Sequence, residues 1–196
     1  MSREFTLRHG VAPAQRMQAA QLYWQAFGPK LGRVMGPERA ALTFIERVMS
    51  ENHVISASDA AGNIVGVIGY RTRSGSFVGG TRGDLRAVYG RFGAAWRALA
   101  LGVLATALPP RAMIVDGLAV AEGWRGVGVG AALIEALARE ARTRGFAELR
   151  LDVVGENLRA RALYERLGFR VTERSESRLT QAIFDFHTAF VMVRAL

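Results

Sequence analysis

Arg125-Gly126-Val127-Gly128-Val129-Gly130 sets three glycines at alternate positions, between an apolar run at 113–120 and a helical pattern at 131–144. Without Cβ atoms, such a turn can gather backbone N–H groups around an anion, and the helix it opens adds a favourable dipole. The chemistry on offer is phosphate binding; the plain alternative is a strand-to-helix turn. A P-loop would need Gly-Lys-Ser/Thr, and Gly130 is followed by Ala131-Ala132, which excludes it. A dinucleotide fingerprint is matched by Gly126, Gly128 and Ala131, with Asp152 roughly 20 residues further on. In that arrangement, however, the glycines follow the strand directly. Here Ala121-Glu122-Gly123-Trp124-Arg125 intervene, and no further strand–helix–strand repeats follow.

The elements that must position this turn can be read in chain order. Residues 5–9 alternate as a short strand. Pro13 opens a helix carrying Met17, Ala20, Trp24 and Phe27 at helical spacing, ended by Gly28-Pro29. A basic, glycine-rich link at 30–36 leads to a second helix from Pro37, with Leu42, Ile45 and Val48/Met49 on one face. The Trp and Met of these helices suit a core. Residues 53–58 and 64–73 form a hairpin about a turn at 60–63, and Gly66 and Gly69 mark a bulge or a close neighbour. After a loop at 75–83 comes a helix with Leu85, Val88, Tyr89, Phe92, Trp96, Leu99 and Val103 in a heptad-like stripe. Arg82, Arg86, Arg91 and Arg97 interleave with it, and Pro109-Pro110 stops it. Residues 113–120 are the central strand, with Ile114, Asp116, Leu118 and Val120 on one face. The glycine turn and its helix end at Gly145, and 147–154 completes a unit whose two strands run parallel. Asn157 starts a short helix with Ala160, Leu163, Tyr164 and Leu167. Gly168-Phe169 turns into a strand to about Glu173, and a polar loop leads to a last strand at 184–193.

Composition bounds what this α/β chain can be. Its 196 residues, half of them apolar, suit a single domain spanning 1–196 with a substantial core. The absence of cysteine removes disulfides, Cys-based zinc sites and a thiol intermediate on the protein itself; no metal is called for. The net charge of +9 is almost all arginine, with Lys30 the sole lysine. Such a surface favours nucleic acid, acidic lipid or a phosphorylated cofactor, although arginine for lysine throughout is also a compositional habit of genomes. Ser2-Arg3-Glu4-Phe5-Thr6 lacks the apolar core of a signal peptide. The longest apolar stretch, 98–108, is about half the ~20 residues needed to cross a bilayer, so a cytoplasmic location is expected.

Two motifs carry a family resemblance. Arg125-x-x-Gly128-x-Gly130, entered from a strand ending Leu118-Ala119-Val120, resembles the acyl-CoA loop of the GNAT superfamily of N-acyltransferases. Asn157-x-x-Ala160-x-x-Leu163-Tyr164-x-x-x-Gly168-Phe169 resembles that superfamily's second motif. The likeness is close over 113–171 and upstream holds only as element order. It implies a twisted mixed sheet whose two central parallel strands splay at their C-terminal ends, with flanking helices and acetyl-CoA entering the gap. Backbone N–H groups of Arg125, Gly126, Val127, Gly128, Val129, Gly130 and Ala131 would hold the pyrophosphate. A bulge near Leu118 would free backbone groups of Leu118 and Val120, on either side of Ala119, for the pantetheine and the thioester oxygen.

The resemblance also assigns the chemistry. CoA leaves as a thiolate, and Tyr164 would protonate it; the alternative is a half-buried helix tyrosine. Asn157 would support the same channel, as well as capping its helix. The attacking amine must lose a proton, for which Asp116 is the candidate base, direct or through water, beside an equally open structural role. Glu122 is read as a loop charge. His187 could face the acceptor pocket or be structural, and His9 and His53 offer no case. The chain departs from the minimal pattern in an insertion carrying the helix at about 83–108. That helix could lid the acceptor pocket, form a homodimer contact or touch an anionic surface, with plain packing of an amphipathic helix as the default. The function expected is acetyl-CoA-dependent transfer to a primary amine of a small molecule or a protein. The rival is a CoA- or anion-binding module whose basic helix at 82–111 engages nucleic acid or membrane without catalysis.

Overall fold

The computed structural model describes residues 4–104 and 106–196. Ser2 and Arg3 of the N-terminal reading, and Ala105 of the 83–108 insertion, lie outside them. Eight strands form one sheet: β1 Phe5–His9, β2 Val54–Asp59, β3 Ile64–Thr72, β4 Gly75–Ser76, β5 Ala112–Val120, β6 Glu148–Val154, β7 Arg170–Glu176 and β8 Thr188–Ala195. Their order is β1-β2-β3-β5-β6-β8-β7, with β4 on β3. Among the described residues, only β5 and β6 are strands paired in parallel. A dinucleotide-binding fold, built on several adjacent parallel strands, is thereby ruled out.

Helices cover both faces. Helix α4, Val129–Thr143, buries Leu133, Ile134, Leu137 and Ala141 against Ile68, Tyr70, Met113, Leu149 and Leu151. These apolar residues recur at helical spacing, and each large side chain buried contributes roughly 1.5–3 kcal/mol. On the other face α1, Arg16–Met35, and α2, Glu38–Val48, pack Ala19, Ala20, Tyr23 and Ile45 onto Val54, Val67 and Ala119. A third cluster gathers the end of α1, α2, the helix α3 (Arg82–Gly102) and Phe184 of α6 (Arg178–Phe184). The remaining helix is α5, Leu158–Arg166. Gly66 and Gly69 have the close neighbours expected of them: an added Cβ would lie 2.8 Å from Val129 and 2.5 Å from Phe77.

Three local expectations are corrected. The first helix does not stop at Gly28-Pro29 but continues through Pro29 to Met35. Val34 and Met35 are buried against the third cluster, and that burial outweighs the roughly 3 kcal/mol cost of an internal proline. The supposed link at 30–36 is therefore mostly helix. The polar loop before the last strand contains α6, capped by Ser177 and anchored by the fully buried Phe184, so the last strand begins at Thr188. Finally, the stripe on α3 does not form one buried seam. Gly90, at φ 71 and ψ 178, breaks the helix and rotates its second half. Leu85 is buried, but beyond the break Ala94 and Ala100 turn inward while Phe92 and Leu99 are left in solvent.

Candidate active site

The site begins where the parallel pair separates. Residues 112–115 of β5 pair with 148–151 of β6. Beyond that, β5 stays with β3 as far as Val120 and β6 stays with β8 as far as Val154. A cleft of about 690 Å³ opens between them. Ala121 donates its N–H to Val65 O. By the alternation of an antiparallel ladder, the backbone groups of Leu118 and Val120 then point away from β3, into the gap.

At the mouth of the gap, Arg125 to Gly128 turn the chain into α4. Gly128 caps the helix at φ 96 and Gly126 sits at φ 84, both left-handed. No atom lies within 4 Å of where a Cβ at either would stand, so backbone faces open space. Ala132 donates to Gly128 O, so the amides of the first turn of α4 lie ahead of the first intrahelical bond, where an α-helix offers them no acceptor of its own. This is a concave row of donors at a positive helix end. Gly130 is the packing glycine: a Cβ there would meet Leu163, Leu118 and Val120 at 3.4–3.7 Å. The Arg125 side chain folds back, its Nε 3.1 Å from Val120 O.

The cleft draws together most of the candidate residues: Asp116, Leu118, Ala119, Val120, Arg125, Gly126, Gly128, Gly130, Ala131, Asn157 and Tyr164. Val127 projects outward and Val129 packs into the core behind the turn. Asn157 caps α5, its Oδ1 accepting from Ala160 N at 3.2 Å. Tyr164 is buried with its ring 5.7 Å from Phe169, and burial pushes its phenol up to about 12.

Asp116 requires a correction. The β3–β5 register steps from Gly69↔Gly117 to Tyr70↔Val115, leaving Asp116 as the extra residue of a bulge. The bulge lies there and not at Leu118, and it breaks the alternation expected along the strand. Leu118 and Val120 share the α4-side core with Met113 and Val115. Asp116 instead lies near Tyr23 of α1 and the backbone of Val78. Its carboxyl is pushed up by burial, against the opposing pull of Arg71 and Val78.

Several lining residues were not assigned to the acyl-CoA site from the sequence. Phe27, Lys30, Trp124, Asp152, Arg159 and Arg166 all border the cleft. Burial lowers Lys30, with Glu156 opposing. Asp152 is raised by burial while Arg150 and Arg71 pull it down. The spacing of Arg159 and Arg166, seven apart around Tyr164, could have signalled one helix face. The histidines stand elsewhere. His9 lies 3.5 Å from Glu140, His53 is buried among Ser50 and Thr72, and His187 is 3.7 Å from Glu176.

A mixed sheet whose one parallel pair parts over a glycine-opened helix defines the acyltransferase class foreseen from the motifs. The chain belongs to the acetyltransferase (GNAT) family, whose model matches residues 17–169. No sequence among curated proteins matches it. Solved structures share the fold. The ribosomal-protein-S18-alanine N-acetyltransferase of Escherichia coli superposes with a TM-score of 0.61 at 17% identity, covering 98% of this chain and 94% of its own. A GCN5-related N-acetyltransferase from Kribbella flavida gives 0.62 at 19% identity, with 98% of each chain covered. A streptothricin acetyltransferase from Bacillus anthracis, solved with acetyl coenzyme A, gives 0.50 at 14% identity, covering 73% and 61%.

Proposed function

We propose that this chain transfers the acetyl group of acetyl-CoA directly to a primary amine, with donor and acceptor held together in the cleft between β5 and β6. The observation that carries this reading is the parting of β5 from β6 directly beside the glycine-built N-terminus of α4 at 126–131. One end of the gap suits a pyrophosphate. The other offers the backbone groups of Leu118 and Val120 to a pantetheine arm and a thioester. The acetyl-CoA bound to the Bacillus anthracis structure supports the donor. The Escherichia coli enzyme's named target, a protein alanine, keeps a protein amine open beside small molecules.

In the proposed mechanism the amine nitrogen attacks the thioester carbonyl carbon. A backbone N–H of β5 donates to the oxygen as it gains charge. The C–S bond then breaks; the carbonyl carbon keeps the new bond to nitrogen, and the sulfur leaves with the electron pair. Tyr164 gives its proton to that sulfur and is reprotonated from solvent. The nitrogen's proton passes to Asp116, through water because the carboxylate is turned to the α1 side. Transfer without an enzyme-bound intermediate agrees with the absence of cysteine. A cytoplasmic location and a single catalytic domain complete the proposal. Among the described residues no helix is long and apolar enough to cross a membrane.

Thermal denaturation with candidate donors tests the cleft. Acetyl-CoA at about 100-fold over Kd should stabilise the fold by about 2.7 kcal/mol, and NADH should not. A shift with NADH alone would overturn the donor assignment.

A further inference from the structure

Helix α3 bends at Gly90, and inside the bend lies an elbow of about 790 Å³. It is lined by Ala94, Ala98 and Leu99 together with Arg82, Arg86 and Arg91. None of its lining residues borders the acyltransferase cleft. The three arginines are exposed and none is in an ion pair among the described residues. The nearby Asp84 is already engaged by Thr81 and Arg47, and no further acid occurs before Asp116. At the elbow Leu99 is 78% exposed, and beside it Phe92 is 92% exposed and Trp96 45%. Their spacing puts all three on one side of the helix.

We propose that this face docks on an anionic phospholipid membrane, with α3 lying in the headgroup layer. Unpaired arginines beside exposed aromatic and aliphatic side chains form the pairing that an interfacial helix uses: cations meet headgroup phosphates while apolar tips enter the acyl boundary. Nucleic acid would satisfy the arginines but leave Phe92 and Leu99 in water. A second copy would bring two unneutralised sets of arginines together. Protruding side chains suit a deformable bilayer better than a fixed groove. Arg97 takes no part, because Gly36 O and Gly93 O hold it across the Tyr89 ring.

The test is co-sedimentation of the full chain with phosphatidylglycerol/phosphatidylcholine vesicles and with phosphatidylcholine alone. Binding should require phosphatidylglycerol and weaken as salt rises. Replacing both Arg86→Gln and Arg91→Gln should weaken partitioning about 25-fold, at about fivefold per arginine. The pair Phe92→Gln and Leu99→Gln should abolish it at low salt. Both double variants should keep the wild-type thermal shift with acetyl-CoA, which shows that they fold. No binding to phosphatidylglycerol vesicles at low salt, or equal binding to both vesicle types, would overturn the proposal. So would a dimer that Phe92→Gln dissociates while vesicle binding is unchanged.

Discussion

Burial pushes the Tyr164 phenol up to about 12, so at neutral pH it keeps its proton, as the proposed donor role requires. Tyr164→Phe keeps the ring against Phe169 and removes only the hydroxyl. Steady-state kinetics should show kcat falling about 100-fold, the low end for a general acid because a thiolate leaves tolerably. Acetyl-CoA affinity by calorimetry should be nearly unchanged. Full activity would remove Tyr164 as the donor, and lost binding would make it a pocket residue. At Asp116 the sign follows from burial. The carboxyl is raised, so the base form is lost below a pH higher than the ordinary carboxylate range, and the wild-type rate should fall there. Asp116→Asn should lower the rate and abolish that acid limb; an unaltered pH–rate profile would leave Asp116 structural. The same shift has a stability consequence. The folded chain holds this proton to higher pH than the unfolded chain does, so stability from this group is lost as pH rises through the window. Both residues were legible in the sequence through the family resemblance of the motifs around them. Their surroundings were not, because a bulge at Asp116 and the approach of Tyr23 and Val78 are decided by distant segments.

Between β5 and α4, the glycine turn works through backbone conformation, and Gly128 at φ 96 is its pivot. Gly128→Val would force a side chain into left-handed backbone and into the space above the amides. Acetyl-CoA affinity should drop at least tenfold in a variant that still folds; undiminished affinity would put the phosphates elsewhere. Gly90 is a second pivot. Its φ of 71 and ψ of 178 lie where only glycine is at ease, and nothing lies within 4 Å of an added Cβ. Gly90→Ala should therefore cost about 1–3 kcal/mol through strain alone, read as a lower urea midpoint with an unchanged slope. The turn itself was legible because glycine spacing states its geometry locally. The course of α3 was not: its stripe reads as one face only if the helix is continuous, and a glycine with no steric neighbour gives no local sign of breaking it. At Pro29 the error ran the other way, a strong local stop overridden by burial of Val34 and Met35.

Among the described residues, alternation and helical periodicity identified seven of the eight strands and every α-helix except α6. The parallel pairing of β5 and β6 followed from their crossover helix. The insertion of β8 between β6 and β7 has no local signature, since it depends on which edge the last strand meets after the sheet has formed. The splay is likewise a property of the assembled sheet. It arises because β5 keeps its partner β3 and β6 keeps its partner β8 past the point where they leave each other. Acetyl transfer through that gap is the central claim, and thiol release from acetyl-CoA across a panel of primary amines tests it most directly. At least one amine should release thiol in step with formation of its acetylated product, and the release should fall away in Tyr164→Phe. Thiol release that no amine accelerates, in a chain that acetyl-CoA measurably stabilises, would contradict direct transfer and leave a protein that binds the donor without using it.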